Sequence, residues 1–136
     1  MANNDRWKNK GRFAGIPHAV MDNRSYIELS FSARALLVEL AKQYNKYNNG
    51  KLCAIPAQLK ERGFKSATTV YAAVQELLDA NLIVYSKLNT KGSRKPHYYA
   101  LTWLSVDDIP KFKMDIKPTK TPLRKFTLER GANIAA

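Results

Sequence analysis

The sequence predicts a small α+β domain in which three helices precede one antiparallel β-hairpin. Three observations predict it. Ala33, Leu36, Leu37, Leu40 and Tyr44 fall on one face of an amphipathic helix. Val70, Ala73, Val74, Leu77 and Leu78 repeat that spacing in KSATTVYAAVQELLDANLIV, after a shorter helical stretch that stops at a glycine. The period then changes, because IVYSKLNTKGSRKPHYYALTW holds two runs rich in β-branched and aromatic residues around a polar loop. A short helix, a tight glycine turn and a longer polar-faced helix make a helix-turn-helix, and the hairpin behind it makes the wing of a winged helix-turn-helix.

The elements follow in order. Residues 1–15 are polar, basic and glycine-containing, and read as a flexible arm that includes Arg6, Lys8, Lys10 and Arg12. IPHAVMDNRSYIEL is partly apolar and is expected to pack along the domain. Ser30 and Ser32 are both able to cap a first helix whose first turn starts near Ala33, with Arg34, Glu39 and Lys42 on its outer face. That helix ends in the turn formers NKYNNG, and Lys51–Ile55 is short enough and apolar enough for a brief strand. Pro56 suits the first turn of a second helix, PAQLKER, because its missing N–H is not needed there. Gly63 is placed as its left-handed cap. Ser66 caps the third helix, which runs to about Asn81 and turns Thr68, Ala72, Gln75 and Asp79 outward, with Thr69 and Glu76 at the edge. Strands are expected over Ile83–Leu88 and His97–Trp103, the second with Tyr99, Leu101 and Trp103 facing the core. Beyond Leu104, VDDIPKFKMDIKPTKTPLRKF has spaced lysines and three prolines, and reads as an extended tail over 105–136 rather than a second core. The domain proper is therefore 16–104.

The formal charge is +12 over 136 residues, with 23 Lys and Arg against 11 Asp and Glu, which points to a polyanionic partner. Its distribution is more telling: residues 1–31 carry a net +2, residues 32–104 carry +7 and residues 105–136 carry +3. Most of the excess belongs to the folded middle. The one cysteine, Cys53, excludes an internal disulfide and is expected to be a small buried apolar residue. No Cys/His set has zinc-ligand spacing, so neither a metal nor a cofactor is expected. No apolar run approaches the ~20 residues that span a bilayer, and the first residues lack a signal-peptide core. A cytoplasmic protein without a membrane partner, nucleoid-associated when bound, is expected, and the Asn23-Arg24-Ser25 sequon then carries no meaning.

Double-stranded DNA is the partner that this order of elements suits. The second helix of a helix-turn-helix presents its first turns to base edges while the helix before it crosses the backbone. The residues placed there are Lys60, Arg62, Lys65, Ser66, Thr68, Thr69 and Ala72. Hydroxyls bond bases or phosphates, methyls of threonine and alanine meet a thymine methyl, and the helix N-terminus favours phosphate. Ser66 is at the same time an ordinary N-cap. No Arg or Asn precedes Asn81 on this helix, so the strongest bidentate base readers are missing.

The hairpin adds Lys87, Lys91, Ser93, Arg94, Lys95 and His97, a tip with cations and no acid. Such a tip reaches phosphates or a narrow minor groove, although lysines on a hairpin also keep a sheet edge soluble. Of Tyr71, Tyr85, Tyr98 and Tyr99, Tyr98 is the aromatic expected to remain exposed for contact. Catalysis has no support: Asp107-Asp108 diverge as neighbours, His18 and His97 lack partners, and there is no phosphate loop or nucleophile motif. The chain does not read as an enzyme.

From Ile16 to Leu104 the chain resembles the short winged-helix proteins of bacterial prophages, plasmids and integrative elements. The likeness rests on IPHAVMDNRSYIELSFSARALLVELAKQYNKYNNGKL, on LKERGFKSATTVYAAVQELLDANLIV and on YYALTWL. It implies duplex DNA binding, with the helix from Ser66 to Ala80 in the major groove and the 87–97 wing alongside, in a bacterial or bacteriophage setting. Such proteins include transcription regulators and replication-associated proteins. The function expected is therefore transcription regulation, with origin-binding DNA replication initiation as the alternative and a protein-binding adaptor as a third reading. A second copy of the chain is a further candidate partner, with the arm and with Lys117, Lys120, Arg124 and Lys125 of the tail as candidate extensions of the footprint.

Overall fold

The computed structural model describes residues 10–90 and 92–129. Two short helices, α1 (His18–Met21) and α2 (Arg24–Ile27), lead into α3 (Phe31–Gln43), α4 (Pro56–Lys60) and α5 (Ala67–Asp79). Strands β1 (Ile83–Lys87) and β2 (Tyr98–Leu101) pair antiparallel, and a 3₁₀ turn covers Phe126–Leu128. The described residues thus form a mixed α+β fold with five α-helices and one two-stranded sheet.

The helix faces follow the apolar spacing. Ala33, Leu36, Leu37 and Leu40 of α3 are buried against Val70, Ala73, Val74 and Leu77 of α5. A fully buried side chain of this size is worth roughly 1.5–3 kcal/mol, so this seam holds the domain together. Of the two candidate caps for α3, Ser30 is used: its Oγ accepts from the Ala33 amide at 3.2 Å. The amide and hydroxyl of Ser30 also donate to Glu76 of α5, at 2.9 and 2.6 Å, which ties the start of one helix to the middle of the other. Arg34 departs from its expected place on a solvated face. It donates to the Ile27 carbonyl at 2.6 Å and lies over the Tyr26 and Phe31 rings, fastening α2 to α3.

The segment after α3 is less regular than its composition suggests. Only Leu52 pairs with β2, through two backbone hydrogen bonds with Tyr99. The cause is local. The Gln43 side chain takes both backbone groups of Cys53, at 2.7 and 3.0 Å, and so occupies the groups a strand would need. Cys53 is half-buried, and burial raises its thiol pKa. Asn49, fully buried, acts as a substitute strand partner: its amide exchanges two hydrogen bonds with the Leu101 backbone, at 2.8 and 3.1 Å.

Beyond β2 the chain remains part of the same body. Residues 105–129 have almost no regular structure, in keeping with their prolines, yet Val106 and Phe126 are buried. Phe126 joins the core built by the helices. This segment, the strap, is fixed by polar contacts along its length. Asp115 bonds Ser86 and Leu88 of the hairpin through its amide and carboxylate, at 2.7 and 2.8 Å. Thr119 and Val106 exchange two hydrogen bonds at 2.9 Å. Gly50, at φ +127°, has no side chain where Met114 packs, and a Cβ there would collide with the methionine sulfur. The 105 boundary is therefore a change of secondary structure and not the edge of the core.

Candidate nucleic-acid interface

The turn before α5 is built to aim that helix. Gly63 adopts φ +101°, a left-handed conformation that L side chains rarely take, and reverses the chain after α4. Phe64 is buried and anchors the turn from below, which leaves Lys65 and Ser66 outside. The Ser66 hydroxyl accepts from the Thr69 amide at 3.2 Å and shares a 3.0 Å hydrogen bond with the Thr69 hydroxyl. It caps α5, whose apolar face is locked into the core. Thr68, Ala72, Gln75 and Asp79 consequently face outward, as their spacing implies. Gln75 donates to Asp79 at 2.8 Å along that face. The helix surface offers hydroxyls, methyls, an amide and the Asp79 carboxylate, with no cation.

The β1–β2 hairpin, labelled the wing after its expected role, supplies the cations. β1 and β2 run in register from Ile83–Leu101 to Tyr85–Tyr99, with a bulge at Ser86 before Lys87 meets Tyr98. Ser86 is buried there and donates to the Gly50 carbonyl. The loop beyond is closed at its base by the Asn89 amide donating to Nδ1 of His97 at 3.0 Å, and by the Asn89 side chain donating to the Pro96 carbonyl. The His97 ring stands edge-on to Tyr85, 5.7 Å between centroids. At the tip, the Ser93 hydroxyl accepts from the Lys95 amide at 3.2 Å, and Gly92 adopts φ +91°. Arg94, Lys95 and His97 are exposed.

Between α5 and the wing lies a groove of about 570 Å³. Tyr71 and Gln75 line it from the helix, and Arg94, Lys95, Pro96 and His97 from the wing, with Val74, Tyr85 and Tyr99 between them. Burial raises the Tyr99 phenol pKa, so this tyrosine stays neutral at any physiological pH. Tyr71 and Gln75 of α5 and two wing cations therefore open onto one concave surface, while Thr68 and Ala72 lie outside its lining.

Not every residue expected at the interface is available to it. Lys60 and Lys65 are exposed beside the turn. Arg62 instead donates to both oxygens of Glu39 on α3, at 2.8 and 3.3 Å, and that hydrogen bonding holds its pKa above the ordinary value. Lys87 lies over the Phe112 ring of the strap at 5.2 Å. Lys91 lies outside the described residues, as do Arg6 and Lys8 of the arm. Tyr98, expected as the exposed aromatic, is covered by Phe112 at 4.9 Å, because the strap crosses that side of the sheet. Tyr71 takes its place, 63% exposed at the groove. Its position beside the Thr68–Ala72 outward stripe was the available signal, and grouping it with the packing tyrosines concealed it. Arg124, expected as a free tail cation, donates to Glu129, Ser25, and the carbonyls of Ala80 and Asn81.

Among the described residues no cluster of His, Cys, Asp and Glu is arranged to hold a metal ion, and no helix is long and apolar enough to cross a membrane. Comparison with models of protein families, with curated proteins and with solved structures finds no match.

Proposed function

We propose that the chain is a winged-helix protein that binds double-stranded DNA and regulates transcription from a bacterial mobile element or bacteriophage. The groove between α5 and the wing supports this reading, because two wing cations border it opposite Tyr71 and Gln75 of α5, and the exposed Ser66, Thr68 and Ala72 lie on or at the start of that same helix. In it, α5 enters the major groove with Thr68 and Ala72 toward base edges. Lys60, Lys65, Arg94 and Lys95 hold phosphates on either side, and the α5 N-terminus adds a favourable field. The bridge from Leu52 to Tyr99 stands where a third strand braces the wing from behind. With hydroxyls and methyls in place of arginine on the helix, affinity comes mainly from the backbone and sequence choice from few contacts.

Duplex binding measured against salt tests the proposal. Neutralising about four phosphates gives a slope near −4 for log K against log salt. Failure to bind a pool of random duplexes at low salt would overturn it. Mapping bound sites on DNA then checks the role: sites at promoters are expected, and a single cluster of repeats at an origin would replace regulation by replication initiation.

A further inference from the structure

A second cavity, of about 940 Å³, lies between residues 11–17, the turn after α3 and residues 103–104 beyond β2, and shares no lining residue with the α5–wing groove. Its size falls within the range that encloses a small molecule. Trp103 and Tyr44 are the more buried of its aromatic walls, while Phe13 and Tyr47 stand at its mouth, 67% and 77% exposed. Arg12 and Lys46 are the charged groups of its lining, and no carboxylate joins them. Flat apolar walls with cations at the rim match a ring system that carries negative charge.

The turn that presents Lys46 and Tyr47 is held by its own amides. Asn48 accepts from the Asn45 amide at 2.8 Å and donates to the Gln43 carbonyl at 2.9 Å, and Asn45 accepts from the Tyr47 amide at 2.9 Å. Lys46 is thereby kept at φ +81°, and the Tyr47 ring is directed outward from a fixed backbone. A large aromatic ring held in water by a fixed turn has a stacking face ready at little entropic cost.

We propose that this cavity binds a nucleobase bearing a phosphate, stacked on Tyr47 with Lys46 and Arg12 on the phosphate. That chemistry belongs equally to a free nucleotide and to one unit of a single strand. Calorimetric titration of the full chain with AMP, with adenosine and with a short oligo-deoxyadenylate distinguishes them. AMP is expected to bind, and adenosine several-fold more weakly. Tyr47→Ala should reduce AMP binding about tenfold or more, the effect of losing one base–aromatic stack. Lys46→Asn, which tolerates the positive φ, should narrow the preference for AMP over adenosine, and adding Arg12→Ala should remove it. An oligomer that competes with AMP without binding more tightly assigns the site to free nucleotide. One that binds far more tightly, and through Tyr47, assigns it to a strand. Absence of binding by AMP and the oligomer, or binding that Tyr47→Ala leaves unchanged, overturns the proposal. Arg94→Ala with Lys95→Ala should leave AMP binding intact, and Tyr47→Ala should leave duplex binding intact, so each site stands or falls separately. Melting curves of both variants check that they are folded.

Discussion

The wing and the strap are both rich in cations, yet they use them in opposite ways. Residues 87–97 hold four cations and no acid, and residues 105–129 hold six cations and four acids. In the strap three of those four acids are structural. Asp107 accepts from the Asn49 amide at 2.8 Å, Asp115 accepts from Leu88, and Glu129 holds Arg124. In the wing, Arg94 and Lys95 form no ion pair among the described residues and border a groove whose lining holds no carboxylate. An arginine that is half-buried among carbonyls and a carboxylate is part of the fold, whereas an arginine on a polar loop with no counter-charge keeps its field for something outside. Net charge alone does not separate the two cases.

The largest expected effect falls on the strap. Phe126 is 4% exposed in the main core, so Phe126→Ala should destabilise the whole chain by about 3 kcal/mol in urea unfolding. If the domain instead melts unchanged, the strap is an appendage and the comparison fails at its first step. The wing should behave in reverse. Arg94→Ala with Lys95→Ala should leave stability within about 0.5 kcal/mol, as exposed substitutions do. Duplex affinity should fall across sequences, and the salt slope should flatten by about 2. Unchanged affinity would reduce the wing cations to guards of a sheet edge.

How much of this was legible follows from the distance over which each interaction acts. The faces of α3 and α5 and the inward side of Tyr99, Leu101 and Trp103 are written in local periodicity, and the structure has them where that periodicity puts them. The groove was legible in part, through Gln75 on the outward face of α5 and the acid-free loop. The strap was not legible, because Arg124 meets Ser25 across 99 residues and the Ala80 carbonyl across 44, and no repeat in the sequence announces such a meeting. The same limit explains Tyr98. Its alternation marks an outward side chain, and the distant Phe112 covers that side in part. Arg62 and Lys87 read as free cations for the same reason, since Glu39 and Phe112 are remote in sequence.

Ser66 offers a finer test, because its hydroxyl both caps α5 and faces the proposed DNA surface. Ser66→Ala should cost about 1 kcal/mol of stability, and Ser66→Asp almost none, since aspartate caps as well as serine. On DNA the order inverts. The aspartate places a negative charge at the helix start, where the phosphate is proposed to lie, and should weaken duplex binding more than alanine does. Equal binding by the aspartate variant and the unaltered protein would remove the α5 N-terminus from the interface and leave the wing as the contact.

The smallest effect belongs to the pair that closes the strap. Glu129 has its pKa lowered from 4.5, chiefly by its hydrogen bond from Arg124. The depressed value means that the folded chain holds the ionised carboxylate more firmly than the unfolded chain does. Its contribution is thus complete above about pH 4.5 and is lost as pH falls through the lower, folded value. Arg124 and Glu129 keep side-chain exposures of 19% and 30%, so solvent screens the pair and the effect is modest. The stability difference between the unaltered chain and Glu129→Gln should stay constant from neutral pH to about pH 5 and shrink below it. Duplex binding at neutral pH should be the same for both. A difference that ignores pH would mean that the carboxylate charge contributes nothing, and that Arg124 is held by the Ser25 hydroxyl and the carbonyls of Ala80 and Asn81 alone.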